Sequence, residues 1–155
     1  MLYNVQEVHR KNSGNNAMPR ILYVEDNTDN RLLVRRILMA SRHSFEVLEA
    51  SNAVNGIELA KVHLPDLILM DISMPDMDGL MATKVLRNIP GLDDTAIVAL
   101  TANAMEGDKE RTLDAGCDGY IGKPIDVDKL ADDILFYLRR RNERGAKHHE
   151  STRAD

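Results

Sequence analysis

One cysteine, Cys117, in 155 residues leaves no partner for an internal disulfide and no cysteine-rich metal site. No apolar run approaches the roughly 20 residues needed to span a bilayer. The opening stretch, MLYNVQEVHRKNSGNNA, lacks the basic region followed by an apolar core that marks a secretory signal. Positive charge is also short. Twenty Lys and Arg against 25 Asp and Glu leave a net charge of −5, which argues against nucleic acid as a general partner. The expectation is a cytoplasmic chain with neither a membrane nor a nucleic-acid partner. At 43% hydrophobic residues, a chain of this length suits one compact domain with tails.

What is present is a rhythm. RILYVED, Arg20 to Asp26, is a compact apolar run closed by two acids and reads as a strand. From Asn30, apolar residues at Leu33, Ile37 and Leu38, flanked by Leu32 and Val34, fall at helical spacing. Phe45 to Ala50 alternates like a half-exposed strand, Ala53 to His63 is helical, and Pro65 closes it. Asp66 to Asp71, DLILMD, is apolar on both parities and reads as a central parallel strand covered on both faces. Gly79 to Asn88 is helical, Thr95 to Ala102 a strand, and Met105 to Ala115 helical, with Gly116 as a C-cap. Gly119 to Pro124 is a short strand. A last helix runs from about Val127 to Arg140, with Leu130, Ile134 and Leu138 on one stripe. Five strands alternating with five helices imply an α/β, doubly wound parallel sheet. The domain is expected over 19–140, with a flexible extension over 1–18 and a flexible basic tail over 141–155. From Arg139 onward, six Arg and Lys face three Asp and Glu. That stretch reads as a solvated helix end complementing the helix dipole, or more sharply as a docking tail.

Ligands of open parallel sheets bind beyond the carboxyl ends of the strands. Strand one ends in Glu25 and Asp26, strand three in Asp71, strand four in Thr101 and strand five in Lys123. Three packed acids repel and raise one another's pKa unless a cation joins them, and Lys123 alone supplies one charge. Mg²⁺, or Mn²⁺ in its stead, suits the oxygen-only set of Glu25, Asp26 and Asp71, with the Ser73 backbone carbonyl as a further donor. A carboxylate beside a divalent cation, an amine and a hydroxyl is equipped for phosphoryl transfer. Asp71 would be the nucleophile, Lys123 would neutralise charge on the transferring oxygens, and Thr101 would bond a phosphoryl oxygen. Pro75 and Gly79 shape the loop leaving the site, with Asp76 and Asp78 as turn residues. The competing reading of Glu25 and Asp26 is a simple cap for the helix that follows. Cys117 reads as a small buried or loop residue. His9, His43, His63, His148 and His149 show no metal-ligand spacing.

The pieces VEDN, LILMDISMPDMDG, VALTANA and GYIGKP stand in this order, with Thr101 30 residues and Lys123 52 residues past Asp71. Over about Arg20 to Arg140 the chain resembles the receiver domain of bacterial two-component response regulators, of the chemotaxis-regulator-like, stand-alone type. The resemblance implies a flavodoxin-like strand order 2-1-3-4-5. It also implies phosphorylation of Asp71 by a histidine kinase or histidine phosphotransfer protein, a Mg²⁺ requirement, and a cis Lys123–Pro124 bond. It further implies a switch in which Thr101 moves toward the phosphoryl group and Tyr120 turns inward. The reporting face would be the fourth helix, fifth strand and fifth helix, open to a protein partner or to a dimer formed on phosphorylation. In such domains the positions of Ser73 and Asn103 tune phosphoaspartate lifetime. The chain would not be a turnover enzyme beyond self-phosphorylation from a phosphodonor and slow autodephosphorylation. A phosphatase with an acid two residues past its nucleophile is disfavoured because Ser73 stands there. Two alternatives stay open: a pseudo-receiver that binds without being phosphorylated, and a receiver fragment of a hybrid histidine kinase.

Overall fold

The structure is a computed structural model that describes residues 18–75, 77–102 and 107–152, with side chains up to Arg144. The extension up to Ala17, Asp76, Asn103 and the last three residues lie outside the described residues, as do the side chains of His148 and His149. Ten elements alternate along the chain: β1 Arg20–Val24, α1 Thr28–Ala40, β2 Glu46–Ala50, α2 Ala53–His63, β3 Leu67–Asp71, α3 Gly79–Arg87, β4 Ala96–Thr101, α4 Asp108–Ala115, β5 Gly119–Gly122 and α5 Leu130–Thr152. All strand pairs are parallel, in the order β2-β1-β3-β4-β5. This is the doubly wound, flavodoxin-like sheet expected.

Strand parity sorts the core into two layers, because successive side chains point to opposite faces. Ile21, Tyr23, Leu67, Leu69, Val98 and Leu100 pack under α1 and α5, against Val34, Leu38, Leu130 and Ile134. Leu22, Val24, Ile68, Met70 and Ile97 pack on the other face, against Ile57 and Ala60 of α2 and Leu86 of α3. Every residue of β3 and β4 is buried, which is why DLILMD shows no alternation.

Side chains set the helix ends. Asn27 caps α1 by accepting from the Asn30 amide at 2.9 Å, Asn52 caps α2 from Asn55 at 2.8 Å, and Asp78 caps α3 from Met81 at 2.8 Å. Asp78 is therefore a capping residue rather than only a turn residue. Gly116, at φ 105°, closes α4 in the left-handed region that glycine tolerates. On α1 the buried stripe is Val34, Ile37 and Leu38, while Leu33 is exposed. Ile37 and Leu38 lie on the expected stripe, and Val34, expected only as a flanking residue, takes the buried place of Leu33.

The last helix departs most from expectation. It begins at Leu130 rather than Val127 and continues through Thr152, where a tail was expected from residue 141. No proline interrupts this stretch, and two of its arginines find fixed partners. Arg141 Nη1 donates to the Asp66 carbonyl at 2.9 Å and to Asp66 Oδ1 at 3.0 Å. Arg144 pairs with Asp118 at 2.7 Å. Asp66 also accepts from the Arg20 amide at 2.8 Å, and Asp118 accepts from Arg87 and from the Ile97 amide, each at 2.8 Å. The edge of the sheet where strands begin is thus a row of matched Arg–Asp contacts.

Two outcomes follow. Arg141→Ala removes charge-assisted bonds from a mostly buried pair and leaves Asp66 short of a partner, so it should lower unfolding free energy by about 1–3 kcal/mol in urea titrations. An unchanged midpoint would show that α5 holds its course without this contact. Cys117 is buried beside Thr83, and burial pushes its thiol above its ordinary value. Iodoacetamide should therefore label the native protein at least about 100-fold more slowly than the unfolded chain. Above the ordinary thiol pKa the unfolded state loses this proton first, so the thiol makes stability fall as pH rises toward the folded value. A native rate equal to the unfolded one would contradict the burial.

Candidate functional site

The site lies where β1, β3, β4 and β5 end. β1 and β3 are adjacent, with Val24 opposite Met70, so the residues that follow, Glu25 and Asp71, emerge side by side. Glu25 is 1% and Asp71 2% exposed, while Asp26 is exposed. Carboxylate oxygens from all three lie within 4.8 Å of one another. Lys123, carried past the end of β5, places Nζ 3.1 Å from Asp71 Oδ2 and 3.4 Å from Glu25 Oε2. Glu25, Asp26, Asp71 and Lys123, drawn from positions up to 98 residues apart, are brought together as one group.

Glu25 is the most enclosed member. Its Oε1 accepts from the Asn27 amide and from Asn30 Nδ2, each at 3.2 Å, and its Oε2 faces Tyr23 Oη and Lys123 Nζ, each at 3.4 Å. Its carbonyl accepts from Arg31 at 2.6 Å. The Glu25 carboxyl is nonetheless pushed up, first by burial and then by sharing hydrogen-bonding space and charge with Asp71. Burial next to these acids also pushes the Tyr23 phenol up. The capping alternative for Glu25 and Asp26 does not hold, since Asn27 performs that work. Asn30, Tyr23 and Arg31 escaped the sequence reading. Asn30, four residues past Asp26 and facing back across the first helical turn, was the one with a positional signal.

Asp71 Oδ1 accepts from the Ser73 amide at 3.0 Å, so this amide orients the carboxylate as the chain turns away. Gly79 lies against the end of β3. A Cβ there would strike the Asp71 carbonyl and come within 2.8 Å of Ile72 Cα, so only glycine lets α3 start this close. The Lys123–Pro124 peptide is cis, and the Lys123 amide donates to the Thr101 carbonyl at 2.7 Å. That contact clamps the ends of β4 and β5 together.

Thr101 and Tyr120 are placed differently from the acids. Thr101, 1% exposed, donates its hydroxyl to Asp108 Oδ2 at 2.6 Å. Tyr120 is half-buried at the margin of the core layer beneath α2 and α3, and its carbonyl accepts from Tyr137 Oη at 3.4 Å. Asp108, 5% exposed at the start of α4, had no signal in the sequence beyond its place in a helical first turn.

The donor set fits a hard divalent cation. It is all oxygen, it carries three potential negative charges against one ammonium, and one carboxylate stays open to solvent where water ligands would stand. No helix among the described residues is long and apolar enough to cross a membrane.

Comparison with known proteins places this geometry. The profile of the response regulator receiver domain matches residues 21–135. The polar-differentiation response regulator DivK of Brucella anthropi is 42% identical over 122 residues, covering 78% of this chain and 98% of that protein. DivK of Brucella abortus is 41% identical over 118 residues, covering 76% of this chain and 94% of that protein. Among solved structures, chemotaxis protein CheY4 of Vibrio cholerae superposes with a TM-score of 0.73 at 26% identity, covering 78% of this chain and 99% of that one. The receiver domain of sensor histidine kinase PA1611 from Pseudomonas aeruginosa PAO1 holds a magnesium ion in its active site cleft. It matches with a TM-score of 0.71 at 32% identity, covering 79% of this chain and 98% of that one. With its profile matched across most of its length and its strand order shared, the chain belongs to the response regulator receiver domain family of two-component signalling.

Proposed function

We propose that Asp71 accepts a phosphoryl group from a phosphohistidine on a histidine kinase or histidine phosphotransfer protein. The observation that carries this reading is the contact of Lys123 with the buried Asp71 at 3.1 Å inside a group that is otherwise acidic. An Asp71 carboxylate oxygen attacks phosphorus as the P–N bond to the donor imidazole breaks, and the departing imidazole leaves neutral once it carries one proton. Lys123 stands where charge collects on the transferring oxygens. The Ser73 amide holds Asp71 Oδ1, leaving the other oxygen toward Lys123. Glu25, Asp26, Asp71 and the Ser73 carbonyl would hold Mg²⁺ or Mn²⁺, which supplies electrostatic stabilisation of the phosphoryl oxygens when bound. Autodephosphorylation would be slow, and no turnover of other substrates is expected.

The signal would leave through a protein partner on the face of α4, β5 and α5. Thr101 and Tyr120 stand at the near edge of that face, and a dimer formed on phosphorylation would use the same surface. A cytoplasmic setting suits a partner of this kind.

Incubation with acetyl phosphate and Mg²⁺, followed by intact mass measurement, should add one phosphoryl group to the wild type. Asp71→Asn should add none, EDTA should abolish the gain, and Lys123→Ala should slow it by about 100-fold or more. A gain retained by Asp71→Asn would move the acceptor elsewhere, and a gain unaffected by EDTA would remove the metal from the reading.

A further inference from the structure

Asp108 is a buried acid to which the phosphoryl chemistry above gives no part, and it holds a group that this chemistry needs. Its Oδ2 accepts from the Thr101 hydroxyl at 2.6 Å, while its Oδ1 meets Arg111 at 3.1 Å. Arg111 is 66% exposed on its side chain, Asp108 only 7%. Of these two contacts, the one with Thr101 is shorter and better shielded from water. A hydroxyl carries a single proton, and a bond to a buried carboxylate is among the stronger uses of it.

The backbone around Thr101 cannot easily shift. Its carbonyl is held by the Lys123 amide at 2.7 Å, and β4 is paired on both sides, with Leu100 opposite Asp71 and Thr101 opposite Gly122. What can change is the side-chain torsion, which for a β-branched residue moves between discrete rotamers. A hydroxyl that donates to Asp108 must give up that bond to donate to a phosphoryl oxygen on Asp71.

Resting on the receiver reading of Asp71, we infer that Asp108 is a positioning residue that competes with the phosphorylated Asp71 for the Thr101 hydroxyl proton. In the unphosphorylated protein Asp108 wins. In the phosphorylated protein the new dianion draws the proton away, and Asp108 is left to Arg111 and water at the first turn of α4. The start of α4 therefore feels the state of Asp71 through one shared proton. The opposing pull sets how firmly the phosphoryl group holds the switched form, since a ligand shifts such a balance only by its differential affinity for the two states.

The test uses the full chain with Mg²⁺ and beryllofluoride, a phosphoryl mimic, with affinity read by titration calorimetry. Asp108→Ala should bind beryllofluoride about 3- to 30-fold more tightly than wild type, and Asp108→Asn, which keeps the shape without the charge, should fall between. In a Thr101→Ala background, Asp108→Ala should change the affinity by less than about twofold, because the shared proton is gone. Thermal unfolding of each variant identifies any that fail to fold, and Asp108→Asn guards against loss of Asp108→Ala on that account. Equal affinities in wild type, Asp108→Asn and Asp108→Ala would overturn the role of Asp108 while leaving Asp71 as the acceptor. A gain that persists without Thr101 would overturn it too. Absence of Mg²⁺-dependent binding in wild type and variants alike would overturn the receiver reading, and this inference with it.

Discussion

Three carboxylates cannot crowd into a space of 4.8 Å with one ammonium and rest in electrostatic balance. That surplus of negative charge organises the end of the sheet where strands finish. Two of the acids are almost wholly buried, and the raised carboxyl of Glu25 records the cost. Nothing in the fold forces this arrangement. The opposite edge, built from the same strands, neutralises Asp66 with Arg141 and Asp118 with Arg87 and Arg144. A chain able to match its acids there leaves them in excess beside Asp71. Unmatched negative charge concentrated at one edge is what a hard cation would exploit.

The matched edge has its own part in this. Arg87 fastens the end of α3 to the Gly116 carbonyl at 2.8 Å and to the Thr95 carbonyl at 2.8 Å, as well as to Asp118. Arg141 fastens α5 to the chain entering β3. The sheet is thus stiffened at its base, with β3 and β4 buried on both faces. A site whose members come from four different strand ends keeps its geometry only if those strands do not slide. Backbone positions at the upper edge are fixed in turn by the bond from Lys123 to the Thr101 carbonyl, so side-chain rotation is the cheaper motion there.

The sequence disclosed the features that depend on composition and period. Apolar runs on both parities marked β3, and acids closing apolar runs marked the ends of β1 and β3. Proline after His63 and glycine after Ala115 marked helix ends. Features that depend on a specific tertiary partner stayed hidden. The continuation of α5 rests on Arg141 reaching Asp66, 75 residues away, and no local pattern encodes that reach. On α1, Leu32, Leu33 and Val34 are all apolar, so spacing alone favoured Leu33 where packing buries Val34 beside Ile37 and Leu38. Thr101 was legible as a strand-end hydroxyl. Its acceptor was not, because Asp108 looks like any acid in a first helical turn.

Asp108 also bears on why the start of α4 is built as it is. Gly107, at φ 74°, stands at the N-cap and offers no side chain to the exposed amides. An acid in the first turn would ordinarily serve those amides and the helix dipole, yet the Asp108 carboxylate is turned inward to Thr101 and Arg111. A helix start that forgoes a side-chain cap is less firmly anchored than those of α1, α2 and α3, each of which has one. Loss of the Thr101 bond would therefore fall on a helix start with no side-chain cap to absorb it. On the proposed reading, that places the responsive element beside Asp71 and leaves the rest of the sheet unmoved.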